Sequence, residues 1–104
     1  MDGSHEVCVQ IAETFLIECP RLMSALRTTL QRKDAQELAG VAHALKGAIA
    51  NFTGCTAFHS VVRLEQLAKE ADLQLATEVF RRLEGEISVL LQSLQSFTST
   101  MPRA

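Results

Sequence analysis

Apolar residues recur every three to four positions along most of the chain. Val7, Ile11, Phe15 and Glu18 mark successive turns of one face and predict a first helix over residues 4–18. Pro20 is expected to close that helix and open the next, because a proline in a first turn gives up no needed donor. Leu22, Leu26 and Leu30 carry the second helix to residue 32, where Gln31-Arg32-Lys33 places basic residues at its C-terminus. Asp34 is the expected N-cap of a third helix over 35–53, with Glu37 completing a capping-box-like pair. Its stripe is Leu38, Ala42, Leu45, Ile49 and Phe52, and Thr53-Gly54 forms its end. Ala57, Val61, Leu64, Ala68 and Ala71 predict a fourth helix over 55–71.

Asp72 is expected to cap a fifth helix over 74–97. Its Ala76, Phe80, Leu83, Ile87, Leu90, Leu94 and Phe97 alternate spacings of four and three, the pattern of a bundle seam. Short connections make neighbouring helices antiparallel. The expected fold is therefore all-α: an up-down antiparallel four-helix bundle built from the last four helices. The additional N-terminal helix lies over one end, within a single domain spanning 1–104. The tail over 99–104 is expected to fray, and Met1-Asp2-Gly3-Ser4 carries no functional weight.

Composition agrees with an all-helical chain. The sequence is 47% hydrophobic, contains no Trp and no Tyr, and has only two prolines. A net charge of −2, with ten Lys and Arg offset by twelve acids, supplies no electrostatic footprint for nucleic acid. Cys8, Cys19 and Cys55 are an odd number at irregular spacings, as expected of reduced, mostly buried thiols in the cytoplasm. No apolar run reaches the roughly 18 residues that a membrane span needs.

The stretch AHALKGAIANFTG, residues 42–54, carries the candidate chemistry. At 3.6 residues per turn, His43 lies about 200° from Leu45 and points away from the core stripe. Positions 46, 47, 50 and 54 share its side and hold Lys, Gly, Ala and Gly. A glycine inside a helix costs about 0.5–1 kcal/mol relative to alanine, so something at Gly47 favours an absent side chain. A bare strip with one cation lets another protein approach the ring. Most exposed helical histidines are inert, but Lys46 and Gly47 beside this one weigh against that.

Ala42-His43-Ala44-Leu45-Lys46-Gly47, followed by Ala50, Asn51 and Phe52, resembles the signature of histidine-containing phosphotransfer (HPt) domains. The pattern runs from FLIECPRLMSALRTTLQRKDAQELAGVAHALKG through RLEQLAKEADLQLATEVFRRLEGEISVLL, residues 15–91, which is 77 of the 104 residues. The family's next glycine falls ten residues after the histidine, where this chain has Thr53, with Gly54 one later. The resemblance implies that His43 is the phospho-acceptor, Lys46 the neighbouring cation and Gly47 the access glycine. It also implies a carrier between receiver domains in a two-component phosphorelay, not an autonomous enzyme. A hybrid sensor kinase is a further expected partner, and the domain is expected to act as a monomer. Whether the chain is free-standing or the cytoplasmic C-terminal part of a membrane sensor kinase stays open.

In that chemistry a neutral imidazole attacks an aspartyl phosphate through Nε2, and a fixed cation offsets the charge spread over three oxygens. His43 lies eleven residues before Gly54, so hairpin counting puts its neighbour eleven to twelve after it. That places Gln66, and Lys69 beyond it, beside the ring. Gln66 is the preferred hydrogen-bonding candidate, while Gly47, Ala50 and Lys69 are the candidate partner-binding residues. Phe15, Ile17 and Met23 are further candidate contacts. No nucleotide loop, Walker-type lysine motif or acidic cluster for Mg²⁺ is present, so the domain is expected to bind no cofactor and Mg²⁺ to sit on the receiver.

Two alternatives accompany this reading. Cys55 and His59, at i and i+4, have the spacing of two metal ligands on one helix, without evident third and fourth ligands. The same fold also serves as a non-phosphorylated adaptor binding receiver or kinase domains.

Overall fold

A computed structural model describes residues 3–50, 52 and 56–99, with side chains for 8–50, 52 and 56–96. Among these the chain forms four helices and no strands: α1 (Gly3–Gln31), α2 (Ala35–Ile49), α3 (Thr56–Lys69) and α4 (Leu73–Ser99). The predicted Thr53-Gly54 helix end, Cys55 and residues 100–104 lie outside the described residues, as do the side chains of Val7 and Phe97.

The two helices expected on either side of Pro20 are one. Pro20 sits inside α1, where it has no N–H to offer the carbonyl one turn back. The helix continues because its buried stripe continues. Ala12, Phe15, Cys19, Leu26 and Thr29 are buried, with Leu16, Leu22, Met23 and Leu30 packed against the core at the intervening turns. Burying a large apolar side chain stabilises by about 1.5–3 kcal/mol, so several of them outweigh the roughly 3 kcal/mol of an interior proline. Pro20 itself is exposed. Cys19 holds the place in the stripe that was expected of Glu18, whose carboxylate instead pairs with Arg21 at 3.2 Å.

Each helix packs on its chain neighbour, and α1 closes the ring on α4. Leu38, Ala42, Leu45 and Ile49 of α2 are fully buried, as are Ala57, Val61 and Leu64 of α3 and Ala76 and Leu83 of α4. At 29 and 27 residues, α1 and α4 are about twice the length of α2 and α3. The surplus falls at the N-terminal half of α1 and the C-terminal half of α4, since the other ends meet tight connections. The segment expected as a separate helix across one end of the bundle is thus the N-terminal part of α1.

Two of the connections are built alike. Lys33 (φ 56°) and Ala71 (φ 57°) are both left-handed. At the first, Lys33 N–H bonds Leu30 O at 3.1 Å and Asp34 N–H bonds Thr29 O at 3.0 Å. At the second, Ala71 N–H bonds Ala68 O at 3.0 Å and Asp72 N–H bonds Leu67 O at 2.9 Å. These are Schellman closures, and the next residue is an aspartate that starts the following helix. Asp34 Oδ1 accepts from Glu37 N–H at 3.1 Å, and Asp72 Oδ1 from Leu75 N–H at 3.2 Å.

Only half of the expected capping box therefore forms at Asp34, whose own N–H is already committed to Thr29. Ala71, expected in the stripe of α3, is instead the exposed turn residue. Phe52, expected on the helical stripe of α2, lies beyond its end, where it meets Phe15 edge-on with ring centroids 5.0 Å apart. Polar bridges join the other interfaces: Arg27 pairs with Glu84 and sits over the Phe80 ring, and the Ser60 hydroxyl donates to Glu86.

Candidate functional site

His43 stands on the outer side of α2, its side chain 69% exposed, while Ala42 and Leu45 on either side point into the core. The apolar stripe fixes this orientation. With Leu38, Ala42, Leu45 and Ile49 inward, position 43 has only the solvent side of the groove between α2 and α3. Gly47, one turn on, has open space where a side chain would be: an added Cβ would meet no heavy atom within 4 Å. Ala50 is exposed at the end of α2, its N–H still bonded to Lys46 O at 3.0 Å. The strip of small residues beside the ring is open in the fold.

Across the groove the ring meets Glu65. His43 Nδ1 lies 3.1 Å from Glu65 Oε2, and Lys46 Nζ lies 2.8 Å from Glu65 Oε1. Lys69 Nζ approaches Oε2 at 3.3 Å from one turn along α3. Glu65's side chain is only 8% exposed, so its charge is held where few waters can screen it. The hydrogen bond from Lys46 is the largest influence on its carboxyl; burial opposes it, and the bonds from His43 and Lys69 assist. Together they draw the pKa down from 4.5 to about 2.

This decides the tautomer of the ring. An ionised carboxylate only accepts hydrogen bonds, so the proton of the neutral imidazole must be on Nδ1. The Nε2 lone pair is then the free nucleophilic position, on a side chain that is mostly exposed. One polar partner orients the ring and leaves the other nitrogen for chemistry.

The candidate residues are brought together unequally. His43, Lys46, Gly47 and Lys69 share the site. Gln66 is exposed and gives its amide to Glu70 at 2.9 Å along its own helix, away from the ring. Glu65 occupies the place beside the imidazole that Gln66 was expected to hold. Two signals in the sequence point to it: a count of eleven from the Gly54 turn lands on 65, and Glu65 with Lys69 makes a helical i, i+4 acid–base pair. Of the other candidate contacts, Phe15 is buried, Met23 packs against the core and Ile17 is exposed.

Burial pushes the Cys19 thiol up to about 11, whereas Cys8 is exposed, so the cysteines are not uniformly buried. His59 makes an edge contact with Phe58, and Cys55 lies outside the described residues. Among the described residues no three His, Cys, Asp or Glu side chains gather as metal ligands, and no helix is long and apolar enough to cross a membrane.

An exposed imidazole oriented by a carboxylate on the next helix, in a four-helix bundle, is the setting in which the comparisons with known proteins fall. The chain belongs to the Hpt domain family, whose model matches residues 10–95. Among solved structures it is similar to histidine-containing phosphotransfer protein B (HptB) from Pseudomonas aeruginosa PAO1, with a TM-score of 0.85 and 23% sequence identity. That match covers 90% of this chain and 82% of the other, and at this identity the likeness is one of fold. No curated protein matches the chain.

Proposed function

We propose that this domain is a phosphorelay intermediate: His43 accepts a phosphoryl group from a receiver-domain aspartyl phosphate and passes it to another receiver's aspartate. The observation that carries this reading is the held ring, with Nδ1 against the Glu65 carboxylate and Nε2 left open on an exposed side chain. The Nε2 lone pair attacks phosphorus, the aspartyl oxygen–phosphorus bond breaks, and the carboxylate leaves with the bonding pair. Lys46 supplies positive charge beside the transferring oxygens, and Lys69 extends that field along α3. Gly47 and Ala50 keep the approach clear, so a receiver can bring its aspartate to hydrogen-bonding range of the ring.

Mg²⁺ and most of the transition-state stabilisation belong to the receiver in this scheme, which makes the domain a carrier and not an independent kinase. The test is incubation with phosphorylated receiver domains, comparing wild type with His43→Gln. Wild type should become an acid-labile phosphoprotein and the variant should not. Labelling of both, or of neither across a broad receiver panel, overturns the proposal.

A further inference from the structure

We propose that Glu65 governs how readily the phosphoryl group leaves His43, by holding a proton on Nδ1 of the phosphorylated ring. This rests on His43 being the acceptor and concerns the second half of its cycle. When the Nε2–P bond breaks, its electron pair returns to Nε2. With a proton on Nδ1 the departing group is neutral imidazole; without one it is an imidazolate anion, a far poorer leaving group. The phosphoryl passes to a carboxylate oxygen of the receiver, or to water, which loses a proton to solvent. The Nδ1 proton stays throughout, so the ring ends as the tautomer that began the cycle.

The geometry assigns the proton-holding role to one oxygen. Glu65 Oε2 lies 3.1 Å from Nδ1, and a carboxylate hydrogen-bonded to an imidazolium N–H favours the protonated ring. Two charged groups on the packed elements face the same carboxylate. Lys46 on α2 engages its other oxygen, and Lys69 on α3 reaches Oε2 with a side chain 61% exposed to screening water. The ion pairs of α1, Arg21–Glu18 and Arg27–Glu84, belong to other parts of the surface. Glu65 touches neither the phosphorus nor its oxygens in this scheme. It is a positioning residue that acts through the ring.

The experiment uses the full chain carrying His5→Gln and His59→Gln, which leaves His43 as the single imidazole. The protein is charged with phosphoramidate, free donor is removed, and loss of the phosphoryl group is followed by ³¹P NMR. At about pH 8 the chain with Glu65 should lose its phosphoryl group at least tenfold faster than the same chain with Glu65→Gln. At about pH 5, where solvent itself protonates the ring, the two rates should converge. A merely structural role would not produce that convergence.

Equal rates at the higher pH, or a constant ratio at both, overturn the proposal. Because Glu65→Gln removes a buried charge partner, the charged parent chain unfolded in urea is a second reference. Unfolding also separates Glu65 from the ring, so loss at about pH 8 should again be at least tenfold slower than in the folded protein, and equal rates count against the proposal. Failure of phosphoramidate to charge His43 at all would instead sink the carrier reading itself.

Discussion

Gly47 weakens its own helix, and in the proposed relay its value is access to the ring. A side chain there meets nothing within 4 Å, so packing gives no reason for glycine. Gly47→Gln should raise helix stability by about 0.5–1 kcal/mol, since it restores helix propensity at an open position. The same change should slow phosphoryl transfer from a receiver by roughly tenfold or more, because about 1.4 kcal/mol of lost approach is already a factor of ten. Thermal unfolding and transfer kinetics on one preparation check both halves. Unchanged transfer would remove the access account of this glycine. His43, Lys46 and Gly47 were legible because a single helix displays them at fixed angles. Glu65 was less legible, although a hairpin count of eleven reaches it, because the count spans two adjacent positions and only the packing of α2 on α3 sets Glu65 between His43, Lys46 and Lys69. Their positions come from two helices at once.

At the scale of the element, the two Asp-started helices show local rules working as expected, and the turns before them show a cost. Ala71 holds a left-handed conformation that costs an L-residue roughly 1–2 kcal/mol and a glycine almost nothing. Ala71→Gly should therefore stabilise the protein by up to about 1 kcal/mol, after glycine's greater unfolded-state entropy is subtracted. A urea titration would register a higher midpoint at constant slope, and a lower midpoint would contradict the assigned turn. Lys33 occupies the equivalent place before α2. Neither turn carries the glycine that usually signals a helix end, so nothing local marked Ala71 as different from the stripe of α3. Pro20 misled in the opposite direction. Its local signal is a break, and only the apolar stripe that continues from Phe15 and Cys19 through Leu22 and Met23 to Leu26 overrides it.

At the scale of the whole molecule, the site and the stability of the bundle share the groove between α2 and α3. Glu65 anchors Lys46 and His43 of α2 to α3, and its carboxyl is drawn down to about 2 from 4.5. A carboxyl whose pKa is lower folded than unfolded stabilises the native state above the unfolded value. That contribution falls away as pH drops from about 4.5 towards about 2, where the native carboxylate finally takes up its proton. Wild type should therefore lose stability across that window more steeply than Glu65→Gln, and its advantage at neutral pH should narrow to nothing at the acid end. Urea midpoints at several pH values test this, and parallel curves would mean that the carboxylate is not held as described.

The repeat of apolar residues determined by itself that the chain is helical, which faces are buried and that His43 stands outside, because helix periodicity ties angle to position. The aspartate caps followed from chemistry confined to four consecutive residues. Only the packed structure decided that α1 runs through Pro20, that Phe52 closes on Phe15, and that Glu65 rather than Gln66 holds the ring. Each of these depends on groups far apart in the chain, whose energies are comparable with the local preferences they override.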